Sequence, residues 1–152
     1  MTPISAVLIT LNEESRLAAA LDSVRFCDEV LVLDAHSTDR TREIAAAAGA
    51  RVLVRAWDGF TAQRNHAVSA ARYDWVLAVD ADERVTPALR AEIEAMRGAG
   101  FAHAGYRIPR VVFYLGGDSE PRAEDQILAE SVGRAQRAAK CDRVTHVRVR
   151  LT

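Results

Sequence analysis

The stretch WVLAVDADERV, Trp75 to Val85, is an apolar run that breaks off in three carboxylates, Asp80, Asp82 and Glu83. Clustered like charges repel, so a strand with this ending needs a cation, a cap or water to compensate. Upstream the same alternation recurs. ISAVLIT, Ile4 to Thr10, is a β-branched apolar run, and in the following NEESRLAAALDSV the residues Leu17, Ala20, Leu21 and Val24 repeat at helical spacing. EVLVLD, Glu29 to Asp34, is a second strand, followed by STDRTREIAAAAGA, a helix capped by Ser37 or Thr38 and stopped by Gly49. RVLVR, Arg51 to Arg55, is a third strand, and TAQRNHAVSAA a helix with Thr61 as N-cap. After the fourth strand, DWVLAV, comes a helix with Thr86 as N-cap, Pro87 at its first position and Gly98 or Gly100 near its end. Near-continuous apolar strands alternating with helices predict an α/β fold, a mostly parallel, Rossmann-like sheet with helices on both faces.

Composition fits one globular domain. The chain has 152 residues, 49% of them hydrophobic and 27% charged, enough for a sizeable core and too apolar for disorder. Its net charge of −1 comes from 20 basic and 21 acidic residues, scattered rather than blocked, which argues against a nucleic-acid partner and allows at most peripheral membrane association. Cys27 and Cys141 lie outside any CxxC spacing and fit a reducing compartment. The N-terminal MTPISAVLITLNEE lacks the basic leader and long apolar stretch of a signal peptide, so a cytoplasmic location, at most on the inner face of the membrane, is expected.

Ligands of doubly wound sheets bind beyond the carboxyl ends of the strands. Asn12 and Glu13 follow strand one, Asp34 ends strand two, and Asp80 and Asp82 close strand four, so these polar groups converge on one edge. Each also has a bland explanation. Asn12 is a good helix cap with Glu13 and Glu14 in the first turn, and Asp34 is suited to loop amides. The DAD triplet resists such an explanation, because Thr86 already caps the next helix. Paired acids at a sheet edge suit a hard cation, Mg²⁺ or Mn²⁺, whose remaining ligands are waters and substrate phosphates. With neither GxGxxG after strand one nor GxxxxGK[ST], a nucleotide would be held by side chains.

ISAVLITLNEE, VLVLDAHSTDRT, GFTAQRNHAV and WVLAVDADERVTPAL, in this order and with GYRIPR at Gly105 to Arg110, resemble the inverting family 2 glycosyltransferases of the GT-A fold. They are most similar to bacterial enzymes that build the lipopolysaccharide core. The resemblance covers about residues 4 to 115. It implies transfer of a sugar from a nucleoside-diphosphate sugar, a UDP-sugar in the first place, to a saccharide or glycolipid acceptor. It also implies that Thr10, Asn12 and Glu13 line the nucleotide pocket and that Asp34, in D-x-x-S-x-D-x-T, accepts a hydrogen bond from the base. Asp80 would lie near ribose and metal, and Asp82 would ligate the metal bridging the diphosphate. Arg64 and Asn65 would stand on the donor side of the cleft, where a guanidinium holds phosphate oxygens; the alternative for Arg64 is an exposed helix face.

Residues 1–115 are therefore expected to form the nucleotide-sugar-binding region and 116–152 an atypical tail in place of the acceptor-binding region, the whole being a shortened version of the family's domain. All nine aromatic residues precede Leu115. The tail reads as a helix over Arg122 to Lys140 and a strand near Val144 to Leu151. Inversion requires a carboxylate base; Asp125 is the nominee, with His146 for a motif histidine, against a merely solvated helix carrying Glu124 and Asp125. Two rivals stand beside the transferase. One is a degenerate domain that binds donor without transferring sugar. The other is a D-x-D phosphatase, which normally carries its motif after the first strand and Thr or Val where this chain has Arg84.

Overall fold

The computed structural model describes residues 1–103, 105–109 and 144–149. In chain order they form β1 (Ile4–Thr10), α1 (Leu17–Ser23), β2 (Glu29–Asp34), α2 (Thr41–Ala47), β3 (Arg51–Val54), α3 (Phe60–Ala70), β4 (Trp75–Asp80), α4 (Pro87–Ala99), β5 (Gly105–Pro109) and β6 (Val144–Val149). One sheet of six strands has the order β3-β2-β1-β4-β6-β5. β1 pairs in parallel with β2 and β4, and β2 with β3, while β6 runs antiparallel to both β4 and β5.

Period-two alternation along the strands loads both faces. Ile4, Ala6 and Leu8 of β1, Val32 of β2 and Leu77 and Val79 of β4 share one cluster with Leu17, Ala20 and Leu21 of α1 and Ile93 of α4. Val7, Leu31, Leu33, Val76 and Ala78 point the other way, against Ala67 of α3. The expected doubly covered sheet is what forms.

Three helices start elsewhere than expected, each for a local reason. Asn12 has φ 54°, which no helix start tolerates, so residues 13–16 form a turn and α1 begins at Leu17. Neither Ser37 nor Thr38 caps α2, which is preceded by Arg40. α3 starts at Phe60 rather than after Thr61, because Gly59 takes φ 105°, a conformation that favours glycine, and Gln63 Nε2 reaches back to the Arg55 and Ala56 carbonyls. α4 starts as expected: Thr86 Oγ1 accepts from Leu89 N at 3.2 Å, with Pro87 next.

The tail strand is present, over Val144–Val149, and lies inside the sheet. Its ladder with β4 covers only Trp75 to Leu77, whereas its ladder with β5 runs the full Gly105 to Pro109. Among the described residues, the stretch Ala78 to Asp80 of β4 therefore has no strand partner on that side. The expected helix 122–140, with Glu124 and Asp125, and Cys141 lie outside the described residues.

The edge opposite the carboxyl ends is tied by buried charge. Glu29 accepts from Ser5 Oγ at 2.6 Å, Arg72 N at 2.7 Å and Arg51 Nε at 2.9 Å. Arg97 of α4 donates to Asp28 Oδ2 at 2.6 Å and to the Thr2 and Phe26 carbonyls. Beside it, burial pushes the Cys27 thiol up to about 12, so it stays protonated and unreactive.

Burial by itself would raise the Glu29 pKa, but the bonds from Ser5, the Arg72 amide and Arg51 together outweigh it and hold the carboxyl below the usual glutamate value. A depressed folded-state pKa adds stability that is complete above the unfolded-state value and is lost as pH falls through the folded one. Glu29→Gln is expected to cost about 1–3 kcal/mol at pH 7 and to flatten the acid limb. Urea unfolding from pH 7 to pH 3 measures this; parallel profiles for the two proteins would show that Glu29 is not linked to folding.

Candidate functional site

Parallel pairing aligns the strand ends. Thr10 stands opposite Asp34, Ile9 opposite Asp80, and Asp34 opposite Val54. β1 is flanked by β2 on one side and β4 on the other, so the strand order reverses between β1 and β4, the place where such sheets open a crevice.

Asp34 is 0% exposed. Its Oδ2 accepts from Thr10 Oγ1 at 3.0 Å and from the Ser37 hydroxyl, and its Oδ1 accepts from Ser37 N at 2.9 Å and faces Arg42 Nε at 3.7 Å. A carboxylate has about four lone-pair positions; three are met by hydrogen bonds from Thr10 and Ser37, and the fourth faces Arg42 beyond hydrogen-bond reach. With Asp34 fully enclosed, the expected bond from a base requires Arg42, whose side chain is half exposed, to move aside.

Ser37 also accepts from Asn12 N at 2.9 Å. Thr41 repeats the pattern: its hydroxyl donates to Asp39 Oδ1 and accepts from Glu13 N at 2.8 Å. Asp39 Oδ2 takes Glu14 N, Glu14 Oε2 takes Arg40 N at 3.0 Å, and Asn12 Oδ1 takes Thr38 N at 2.8 Å. The β1–α1 and β2–α2 loops are stitched into one rim. Asn12, expected as either helix cap or pocket residue, does not cap α1; its side chain caps the facing loop at Thr38. Ser37 and Thr41 are buried, while Asn12 is exposed and Glu13 half-buried at the rim. Burial alone would raise the Asp39 pKa, but the hydroxyl and amide of Thr41 and the Glu14 amide together lower it.

Asp80, last residue of β4, pairs with Arg64 of α3. Its amide donates to Glu83 Oε2 at 2.9 Å and its carbonyl accepts from Glu83 N, so Glu83 closes the turn. Arg64 is therefore drawn to the acids rather than lying on an exposed helix face. Asp82 and Asn65 are exposed.

Among the described residues, no three of His, Cys, Asp and Glu come together as a metal cage. The donor set would suit a hard cation: Asp80 and the exposed Asp82 at the tip of β4 are the carboxylates that would hold it, and it would supply positive charge to phosphate oxygens. Asp125 lies outside the described residues, and of His146 only the strand position is described. The site contacts missed in the sequence are those of Ser37, Asp39, Thr41 and Arg42; the D-x-x-S-x-D-x-T spacing carries the first three, and Arg42 follows it directly.

A family model described as Glycosyl transferase family 2 matches residues 5–144. An uncharacterized glycosyltransferase of Rickettsia typhi is 41% identical over 119 residues, covering 76% of this chain and 41% of that protein. The lipopolysaccharide core biosynthesis glycosyltransferase LpsC of Rhizobium meliloti is 32% identical over 119 residues, covering 75% and 44%. The chain thus spans about two fifths of the length of these relatives. Among solved structures, glucosyl-3-phosphoglycerate synthase from Mycobacterium tuberculosis in complex with UDP superposes with a TM-score of 0.56 at 27% identity, over 70% of this chain and 43% of that one.

The stitch makes a prediction. Ser37→Ala removes a donor to buried Asp34 and the acceptor of Asn12 N, and is expected to cost about 1–3 kcal/mol. Hydrogen exchange at the Asn12 amide should speed up with it, while Thr38→Ala, at an exposed position, changes stability little. Equal effects of the two substitutions would refute the stitch.

Proposed function

Because the chain belongs to glycosyl transferase family 2 and carries the GT-A fold, we propose that it binds a nucleoside-diphosphate sugar, with a UDP-sugar favoured, at the carboxyl edge of β1, β2 and β4. The sugar would pass to a saccharide or glycolipid acceptor with inversion. The reading is supported above all by the convergence of Thr10, Asp34, Asp80 and Arg64 at the carboxyl ends of β1, β2 and β4, with Asp82 just past β4. The UDP complex of the similar synthase supports the choice of nucleotide, and the resemblance to LpsC supports an acceptor in the lipopolysaccharide core or another envelope glycan. The phosphatase alternative is overturned by the family match.

In this proposal Thr10, Asn12 and Glu13 line the nucleotide pocket, and Asp34 organises it through Thr10 and Ser37, taking a bond from the base when Arg42 gives way. Arg64, with Asn65 beside it, turns from Asp80 to the diphosphate oxygens, freeing Asp80 to face ribose and metal. Asp82, aided by Asp80, would hold Mg²⁺ or Mn²⁺, which supplies positive charge against that developing on the leaving diphosphate. The acceptor hydroxyl needs a carboxylate base within hydrogen-bond reach, and Asp125 is our nominee. Residues 1–115 remain the donor region and 116–152 the atypical tail, though the tail lends β6 to the donor region's sheet. Among the described residues no helix is long and apolar enough to cross a membrane; a cytoplasmic site of action, at most at the inner membrane face, belongs to the same proposal.

Calorimetry with UDP tests the donor site. Mn²⁺ is expected to tighten UDP binding by about tenfold or more, worth ~1.4 kcal/mol, in the wild type and not in Asp82→Ala. Equal affinity with and without metal in both proteins would sink the metal role.

The aromatic surface that usually grips a sugar has no source beyond Leu115 in this chain, which favours the donor-binding alternative for the chain on its own. We therefore expect slow donor hydrolysis and little acceptor-dependent transfer in a donor-consumption assay with and without a lipopolysaccharide-core acceptor. Robust acceptor-dependent turnover that Asp125→Asn abolishes would reverse this and make Asp125 the base.

A further inference from the structure

Among the described residues, the large apolar side chains left exposed are Met1, Leu11, Val54, Trp57 and Phe60. Met1 aside, they lie at or just past the carboxyl ends of β1 and β3, the strands that flank β2 and its Asp34. Exposed apolar residues scattered singly need no explanation, but these four share the carboxyl-end edge of the sheet, and two of them, Trp57 and Phe60, are in contact. Trp75, Phe101 and Tyr106, by contrast, contact one another around the start of β4.

The patch is built rather than loose. Trp57 and Phe60 meet edge to face, with ring centroids 4.7 Å apart and planes at 90°, so each holds the other's orientation. Gly59 between them supplies the turn at φ 105°. Beneath the loop, Gln63, 1% exposed, ties down the Arg55 and Ala56 carbonyls, and Arg55 pairs with Asp58 while donating to the Ala62 carbonyl. Phe60 nonetheless stays 72% exposed and Trp57 45%. A braced pair of aromatic rings facing solvent is a surface waiting for a flat partner.

Its position names that partner. Phe60 and Arg64 are four residues apart on α3, on one side of the helix and separated by about 6 Å along its axis. Arg64 reaches Asp80, the anion-and-metal end of the proposed donor site. A ligand with its anionic end near Arg64 and Asp82 and a planar aromatic group one helical turn away is a nucleoside diphosphate. We propose that the Trp57–Phe60 pair is the stacking surface for the donor's nucleobase, with Leu11 and Val54 extending the apolar floor. The inference rests on the donor reading above and deepens it. Every base has a π face, so stacking contributes affinity with little choice among bases; discrimination falls to the polar rim at Asp34.

The test uses the full 152-residue chain in Mn²⁺, titrated with UDP and with inorganic pyrophosphate, which has the anion but no base. Trp57→Ala and Phe60→Ala are expected to weaken UDP by about tenfold or more and leave pyrophosphate unchanged, while Phe60→Tyr, which keeps the ring, retains UDP affinity. Unchanged UDP affinity in both alanine variants, with Asp82→Ala still weakening it, overturns the stacking surface and leaves the donor reading standing. Losses falling equally on pyrophosphate mean a structural effect and also overturn it. Failure of the wild type to bind UDP removes both. Loss of adhesion to phosphatidylcholine–phosphatidylglycerol vesicles, with UDP affinity intact, would assign the patch to a lipid surface instead.

Discussion

Burying a carboxylate is costly unless its lone pairs are met, and at Asp34 the way they are met organises a whole edge of the molecule. Thr10 of β1 and the hydroxyl and amide of Ser37 supply close donors. With its hydrogen directed at Asp34, the Ser37 hydroxyl oxygen is left to accept, and the Asn12 amide donates to it. Asp39, Thr41 and the Glu13 amide repeat the arrangement one step further along. Two loops from separate β-α units thereby become one rim. The backbone is strained to achieve it: Asn12 and His36, both in the left-handed region, are the positive-φ residues other than glycine among those described. Such conformations cost on the order of 1–3 kcal/mol each and persist only where surrounding bonds over-determine them.

This explains which parts of the structure were legible in the sequence. The strands were, because β-branched runs buried on both sides have few other fates; β1 and β2 begin and end where their apolar runs do, and β3 and β4 differ only at their ends. Helix starts were not. Ser, Thr, Asp and Asn are equally suited to capping a helix and to bonding a distant amide, and nothing local tells which occurs. At Thr86 the following Pro87 settled it in favour of a cap. At Asn12, Ser37 and Thr41 the partners lie 26, 25 and 28 residues away, so the decision belongs to the tertiary structure. The convergence of Asp34 and Asp80 followed from topology, whereas the complete enclosure of Asp34 and the turn of Arg64 toward Asp80 did not.

The site's opening has a backbone cause as well as a topological one. β1 holds β4 along its whole length, up to Ile9 opposite Asp80, but β6 leaves β4 after Leu77 and continues along β5. Among the described residues, the acids at the tip of β4 therefore have no paired strand on the β6 side, with the stitched rim on the other side of β1. The core's two clusters lie on the two faces of the sheet.

The place of β6 also bears on how the protein is made. The strand that covers the edge of β4 comes from residues 144–149, some seventy positions downstream, and the outermost strand β5 is held through it. Chain closure over such a separation is slow compared with the local β-α-β pairings. During synthesis the four parallel strands and their helices are complete while the apolar flank of β4 still presents unpaired amides and carbonyls, a template for pairing with another copy. The vulnerable species for this protein is thus a nascent one in which β6 has not yet been made, and its yield in a cell will depend on how quickly that strand arrives or what shields the edge until then.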